Sequence, residues 1–307
     1  MTLTQLKAYV AVATAGSVRA AAAQLVVSQP AVSAAVGALQ KELGVTLVTR
    51  DGRGLQLTDA GRVFARYARQ LLGLLEEATA AVAGQVHPEQ GRVRLAAVTT
   101  AGEHVLPRLL ASFRDNYPNA EISLEVGNRV RVWDLLEHNE VDLAIGGRPP
   151  GVGRFVSLAT RPNLLVLVAA GRGEGPSSRE VTMAELTRQT LLLREPGSGT
   201  RSTAEELLDE LGVSPAILTV GSNGAIRESV QVGLGITLIS RDAVARELED
   251  GTLEEWRVPT LPRHRAWHLV ARTGDELPAT ASLFVNHLTG TRADGFRRID
   301  TKEERIG

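Results

Sequence analysis

The sequence contains no cysteine. Disulfide bridges, thiolate metal sites and a cysteine nucleophile are therefore excluded together. It also has no uninterrupted apolar run long enough to span a bilayer. The first residues carry no apolar stretch followed by a small-residue cleavage site, so a soluble, cytoplasmic chain with no membrane partner is expected. No charge sign dominates: 34 lysines and arginines stand against 35 aspartates and glutamates, a formal net charge of -1. The six histidines (His87, His104, His138, His264, His268, His287) are scattered without ligand spacing, so no metal is expected. No Ser/His/Asp set and no paired carboxylates are placed for acid/base work. The expectation is a protein that is not an enzyme and carries no cofactor.

What is present starts with Ser28-Gln29-Pro30-Ala31-Val32-Ser33. Ser28 has the chemistry of a helix N-cap, and Pro30 suits a first turn, where its missing N–H costs nothing. Val32, Val36, Leu39 and Leu43 follow at three- and four-residue spacing and are expected to face inward. A helix buried on one side, with Ser28, Gln29 and Ser33 at its open end, suits insertion into the DNA major groove. Around it, residues 3–15 and 18–25 read as two further helices, with Val26-Val27 as the turn. Gly44 ends the third helix. Val45 to Val48 and Leu55 to Leu57 then read as a hairpin closed by Asp51-Gly52-Arg53-Gly54, a wing that offers Arg50 and Arg53 to phosphates or the minor groove. Residues 1–62 carry six cationic side chains against three anionic ones, so a mildly basic head sits on an acidic remainder.

Gly16-Ser17 before an alanine run, Ser28 to Ser33, Leu39, Glu42-Leu43-Gly44, Leu47, Arg50, Gly52-Arg53-Gly54 and Leu57-Thr58-Asp59-Ala60-Gly61 closely resemble, without gaps, the N-terminal domain of LysR-type transcriptional regulators. Val18 and Val48 stand where phenylalanine is usual, and Ala34-Ala35 where longer polar residues are common. The resemblance implies a winged helix-turn-helix in residues 1–58. It implies that Gln29, Pro30, Ser33 and Ala34 face base edges of double-stranded promoter DNA, with Ser28 and Arg53 on phosphates.

A long helix is expected from residue 59, with Thr58 as its cap. Phe64, Tyr67, Leu71, Leu74, Ala78 and Ala81 recur at alternating spacings of three and four, a narrow heptad seam flanked by charge. By periodicity the seam packs either on the chain's own body or on a twin. The resemblance implies the twin, in a linker helix pairing antiparallel within a homodimer or homotetramer. Gly84 to Gly91, with Pro88, reads as a hinge closing this 59–90 segment.

Residues 91–290 alternate strands and helices: strand 92–98, helix 103–116, strand 121–126, helix 129–138, then a short strand Leu143 to Gly147 ending in glycine. A parallel α/β sheet follows from that order. Strand 164–170, helix 182–188, strand 190–194, helix 201–211, strand 216–220, helix 224–233 and strand 235–239 continue it. Strand 266–272 and helix 278–289 return to the first lobe. The arrangement predicts two lobes with a cleft between them, lobe I about 91–160 and 266–290, lobe II about 161–265. It resembles the periplasmic-binding-protein-like effector domain of the same family. The charged tail 291–307 is expected to be disordered.

Ligand groups in open α/β sheets collect where strands end and helices begin. Thr99 and Thr100 follow the first strand, and helix-end N–H groups beside them suit an anion. Thr100, Gly102 and Glu103 match the family's pocket segment, with Val98 where serine is frequent, and Gly147 ends a strand at the same edge. Glu195-Pro196-Gly197-Ser198-Gly199-Thr200-Arg201 puts two glycines and several donors between a strand and a helix, a loop able to cradle an anion. The Walker A ending is absent. With Arg194, this loop resembles that of the subgroup controlling carbon fixation or sulfur assimilation. Ser222-Asn223 precedes the next helix in the same way, with Gly224 where glutamate is common. The candidate effector contacts are thus Thr99, Thr100, Gly102, Glu103, Gly147, Glu195, Ser198, Gly199, Thr200, Arg201 and Asn223, and the expected effector is a small anionic metabolite. The resemblance adds RNA polymerase as a partner. A transport-type solute receptor and an enzyme on the same two-lobed fold are the alternatives, disfavoured by the helix-turn-helix and by the absence of a catalytic set.

Overall fold

The structure, a computed structural model, describes residues 1–51, 54–151, 153–274, 276–290 and 295–299. The chain forms two compact units, Met1–Ala83 with Glu137–Val141, and Gly84–Leu136 with Asp142–Gly307.

In the first unit, helix α1 (Leu3–Ala15) opens on a capping box, Thr2 accepting from Gln5 N while the Gln5 side chain accepts from Thr2 N. Helix α2 (Val18–Leu25) is capped by Ser17 and helix α3 (Gln29–Leu43) by Ser28, whose hydroxyl accepts from Ala31 N at 3.4 Å. The axes of α2 and α3 bend by 108° at the break between them, within the range of a helix-turn-helix. Tyr9, Ala21, Val32, Leu39 and Leu47 form the centre of the core. Leu43 departs from the expected inward stripe. It is the last residue of α3, beyond the reach of that core, and is 37% exposed. Strands β1 (Val48–Asp51) and β2 (Gly54–Leu57) pair antiparallel as a hairpin, but β1 starts where the expected strand Val45 to Val48 ends, and Asp51 and Gly54, expected in the turn, pair with each other. Helix α4 (Asp59–Val86) then starts from Thr58, whose hydroxyl accepts from Gly61 N at 2.9 Å. It runs into the stretch expected as a hinge, after which Pro88–Gln90 make one 3-10 turn.

Tyr9 is fully buried and donates its hydroxyl to the Gly61 carbonyl at 2.7 Å. Burial pushes its pKa up to about 12, against a smaller opposing pull from Arg69. An acid whose folded pKa lies above its unfolded value stabilises the fold below the unfolded value, near 10, and loses that contribution as pH rises through the folded one. The first unit should therefore weaken between pH 10 and about 12. Tyr9→Phe should abolish that component in alkaline denaturation followed by circular dichroism. An unchanged profile would refute it.

The second unit opens with strand β3 (Arg92–Val98), a π-helical stretch at Ala101–Val105 and helix α5 (Leu106–Asn116). The sequence predicts a helix from residue 103. Pro107 lacks the N–H that would close an α-helical bond to Glu103, and the regular helix begins only at Leu106. Strand β4 (Glu121–Gly127), helix α6 (Arg129–Glu137) and strand β5 (Leu143–Gly146) complete the parallel set, with β3 between β4 and β5. Strand β6 (Phe155–Ala170) is 16 residues long, where only 164–170 is expected from the pattern. Arg161-Pro162 interrupts its apolar run, yet both lie in the antiparallel pairing with a later strand.

Next come β7 (Ser178–Glu180), α7 (Met183–Thr187), β8 (Thr190–Leu193), α8 (Gly199–Leu211), β9 (Ala216–Thr219), α9 (Asn223–Gln231), β10 (Thr237–Ser240), α10 (Ala245–Asp250) and β11 (Leu253–Arg257). Strand β12 (Arg263–Arg272) and helix α11 (Ala279–Gly290) follow. The first part of β6 lies against β12, and its second part pairs β10 and β11, so one strand serves both lobes. Separate cores fill the lobes, one around Phe113, Leu143 and Phe284, another around Leu167, Leu191 and Leu238. The expectation of a disordered tail is corrected within residues 295–299. Phe296 is buried in the first core, and strand β13 (Arg297–Arg298) pairs Thr160 and Ala159 of β6. Burial of that aromatic ring offsets the ordering cost.

Candidate functional site

On the first unit, Ser28, Gln29, Pro30, Ser33 and Ala34 are all exposed around the open end of α3, and Arg50 is exposed on β1. Arg53 lies outside the described residues. On α4, Tyr67, Leu71 and Leu74 are 54%, 47% and 54% exposed, and Ala78 is exposed as well. Phe64 departs from that seam: its ring packs edge-on against Tyr9 at 5.4 Å, inside the unit's own core. The Ala81 side chain lies outside what is described.

In the second unit a cleft of about 340 Å³ lies where β3, β4 and β5 end and where α8 begins. Thr99, Thr100, Gly147, Ser198, Gly199 and Thr200 line it. Ser198 is the N-cap residue of α8, and its side chain makes no capping bond. Ser198 and the first turn of α8 thus line the cleft, and a helix N-terminus at a cleft favours a negative ligand. Four arginines reach the same space, Arg129, Arg148, Arg194 and Arg265, against one carboxylate, Glu206. Arg265 donates to Glu206 at 2.8 Å, and Arg129 donates to the Arg148 carbonyl at 3.0 Å. His268 also lines the cleft, its Nδ1 2.6 Å from Ser157 Oγ.

Five expected contacts do not line this cleft. Gly102 is buried with its α-carbon against Val126, where an added Cβ would come within 2.8 Å of a methyl. Glu103 turns instead into a second cavity of about 710 Å³, shared with His104, Arg161 and Arg227. Arg201 is drawn off by Glu205 at 2.8 Å and by the Arg194 carbonyl at 2.9 Å. Glu195 and Asn223 hold Arg194, which is only 8% exposed. Burial pushes the Glu195 carboxyl up, but hydrogen bonds from Arg194 and a backbone N–H outweigh it and hold it below the usual carboxylate range.

Arg129, Arg148 and Arg265 were absent from the sequence expectation. The strand-end rule that selects Thr99 and Thr100 also selects Asn128-Arg129 and Gly147-Arg148, each just past a strand. Arg265 has no such mark, because it sits within β12 and its direction depends on the pairing with β6.

Residues 3–62 match the family description "Bacterial regulatory helix-turn-helix protein, lysR family", and residues 87–293 match "LysR substrate binding domain". The chain is 36% identical over 287 residues to the HTH-type transcriptional regulator CbbR of Rhodospirillum rubrum, covering 93% of this chain and 95% of that one. It is 33% identical over 285 residues to the RuBisCO operon transcriptional regulator of Allochromatium vinosum, covering 92% and 94%. A solved structure of the Synechocystis PCC6803 CcmR regulatory domain in complex with 2-PG is 30% identical, covers 66% of this chain and 97% of its own, and superposes with a TM-score of 0.58. A helix-turn-helix unit and a two-lobed receptor unit on one chain define a ligand-responsive, DNA-binding transcription regulator, not an enzyme. The chain belongs to the LysR family.

Proposed function

We propose that this regulator binds its operator as a homo-oligomer and controls carbon-fixation genes in the cytoplasm in response to a small anionic metabolite. One observation carries the anion reading: Arg129, Arg148 and an uncapped helix N-terminus line one cleft, in addition to two arginines already paired with Glu195 and Glu206. The CcmR complex with 2-PG supports it. In this reading Thr99, Thr100, Ser198, Gly199 and Thr200 supply hydrogen bonds, and Arg129 and Arg148 supply charge, while Arg265 is held by Glu206 at the cleft's edge. Gln29, Ser33 and Ala34 meet base edges, while Ser28, Arg50 and Arg53 meet phosphates. Tyr67, Leu71, Leu74 and Ala78 form the seam with a second copy, which sets two recognition helices on two half-sites. The effector changes DNA binding only insofar as it prefers one arrangement of the lobes.

Two titrations of the full chain test this. Calorimetry with 2-PG should give saturable binding, weakened about tenfold or more by Arg148→Ala, as expected for a lost charged hydrogen bond. Fluorescence anisotropy should show preference for the duplex upstream of the chain's own gene over a scrambled duplex at near-physiological salt, and Gln29→Ala should shrink that preference. Equal, salt-labile binding to both duplexes would leave only phosphate attraction and sink the regulator reading.

A further inference from the structure

Thr100, Asn223, Arg194 and Glu195 form one hydrogen-bonded chain from lobe I into lobe II. All of it but the Glu195 end is nearly closed to solvent: Thr100 and Asn223 are each 6% exposed and Arg194 8%. Its direction is forced by chemistry. A guanidinium has donors only. Arg194 Nε and Nη2 donate to the two Glu195 carboxylate oxygens at 2.8 and 3.0 Å, and Nη1 donates at 2.7 Å to Asn223 Oδ1. That contact requires an acceptor, so the Asn223 amide can be turned only one way. Its nitrogen then faces Thr100 and donates to Oγ1 at 3.0 Å. The Thr100 hydroxyl accepts along the chain. Its single proton has no acceptor among the described residues, and the side chain lines the cleft.

We infer that the Glu195–Arg194–Asn223 chain occupies the Thr100 hydroxyl as an acceptor, which leaves its proton to donate into the cleft and so favours a ligand that presents an acceptor oxygen there. The inference rests on the anion reading of the cleft. It gives Asn223 and Glu195 a positioning role in place of the direct contact expected from the sequence. Glu195 neutralises Arg194, so this end of the cleft selects by hydrogen-bond polarity, while Arg129 and Arg148 attract by charge. Each link polarises the next. Because Thr100 lies just past β3 in one lobe and Asn223 opens α9 in the other, the same bond ties ligand selection to the spacing of the lobes.

The test is a double-mutant cycle on the full-length protein, read by calorimetry with sulfate and with inorganic phosphate. Asn223→Asp keeps the shape but offers two acceptor oxygens, so the hydroxyl proton of Thr100 turns away from the cleft. Thr100→Val keeps the shape and removes the hydroxyl. Each should weaken sulfate binding about tenfold or more. The added charge of Asn223→Asp acts in both backgrounds and cancels in the cycle. The relay requires that Asn223→Asp cost about tenfold less in the Thr100→Val background than in the wild type. Thr100→Ser, which restores the hydroxyl, should restore affinity, and unchanged thermal unfolding of the variants shows that they fold. Equal costs in both backgrounds overturn the relay while leaving the anion site standing. Failure of the wild type to bind either anion saturably overturns the anion reading and the relay with it.

Discussion

Asp142→Ala is expected to unfold the first lobe of the receptor unit, at a cost of about 3–5 kcal/mol, the range for breaking a buried ion pair from one side. Asp142 lies at the entry to β5, beside β3. One carboxylate oxygen accepts from the Arg94 backbone N–H at 2.8 Å, and the other accepts from Arg94 Nε and Nη2 at 3.0 and 2.6 Å. The two side chains are 1% and 4% exposed. The Asp142 N–H also donates to the Arg94 carbonyl at 2.9 Å, so the pair is clamped through backbone and side chain at once. Alanine would leave a guanidinium and a backbone N–H without that carboxylate in the lobe's interior, where neither can be rehydrated without opening the sheet. Urea unfolding of the full chain should show the receptor transition at markedly lower denaturant, with the helix-turn-helix transition unmoved. Replacing both partners, as Arg94→Met with Asp142→Leu, should recover part of the loss, because no buried charge then remains. A double variant as unstable as Asp142→Ala would show that the backbone bond, and not the stranded charge, sets the cost.

Elements governed by local chemistry were legible in the sequence, and elements governed by pairing were not. Ser17, Ser28 and Thr58 mark three helix starts, because an N-cap is a contact within three residues and sequence spacing determines it. Strand β3 was bounded correctly because an apolar stretch between turn residues has one plausible use. Strand β6 was read at under half its length. Its first part draws its register from β12, about a hundred residues away in sequence, and no local pattern encodes that. Strand β11 pairs β6 on one side and β7 on the other in the same non-local way.

The cleft divides along the same line. Thr99, Thr100, Ser198, Gly199 and Thr200 were found because strand ends and helix starts are visible in sequence, and they do converge. Glu195, Arg201 and Asn223 share those segments, but each is claimed by a protein partner: Arg194, Glu205 and Thr100 respectively. Sequence spacing brings a side chain to the neighbourhood; competition among neighbours decides whether it faces the ligand. On α4 the heptad pattern was continuous, yet Phe64 is taken into the core beside Tyr9 while Tyr67, Leu71 and Leu74 stay exposed. One helix therefore carries two apolar tasks in succession, and periodicity cannot mark where the first gives way to the second.

Gly61→Ala should abolish DNA binding without touching any residue that faces DNA. Gly61 sits in the first turn of α4, and a Cβ there would lie 2.0 Å from the Leu47 carbonyl oxygen and 3.2 Å from the Tyr9 hydroxyl. Both neighbours are fixed. The Leu47 carbonyl already accepts from Thr58 N at 3.1 Å, and Tyr9 is wholly buried and bonded to the Gly61 carbonyl. Relief therefore requires α4 to move off the wing and the three-helix core together. The cost should reach or exceed the ~3 kcal/mol upper end of the usual overpacking range. A unit of this size, with a small core, holds only a few kcal/mol of net stability, so the loss is enough to melt it. Gly37, exposed on α3 with nothing within 4 Å of an added Cβ, supplies the contrast. Gly37→Ala gains helix propensity of up to about 1 kcal/mol and should raise the unit's melting temperature. Measured side by side, Gly61→Ala should lose both the thermal transition of the first unit and binding to the upstream duplex, while calorimetry still detects the anion in the second. Retained DNA binding by Gly61→Ala would mean that the wing and α4 can separate without cost. Recognition would then rest on the three helices alone.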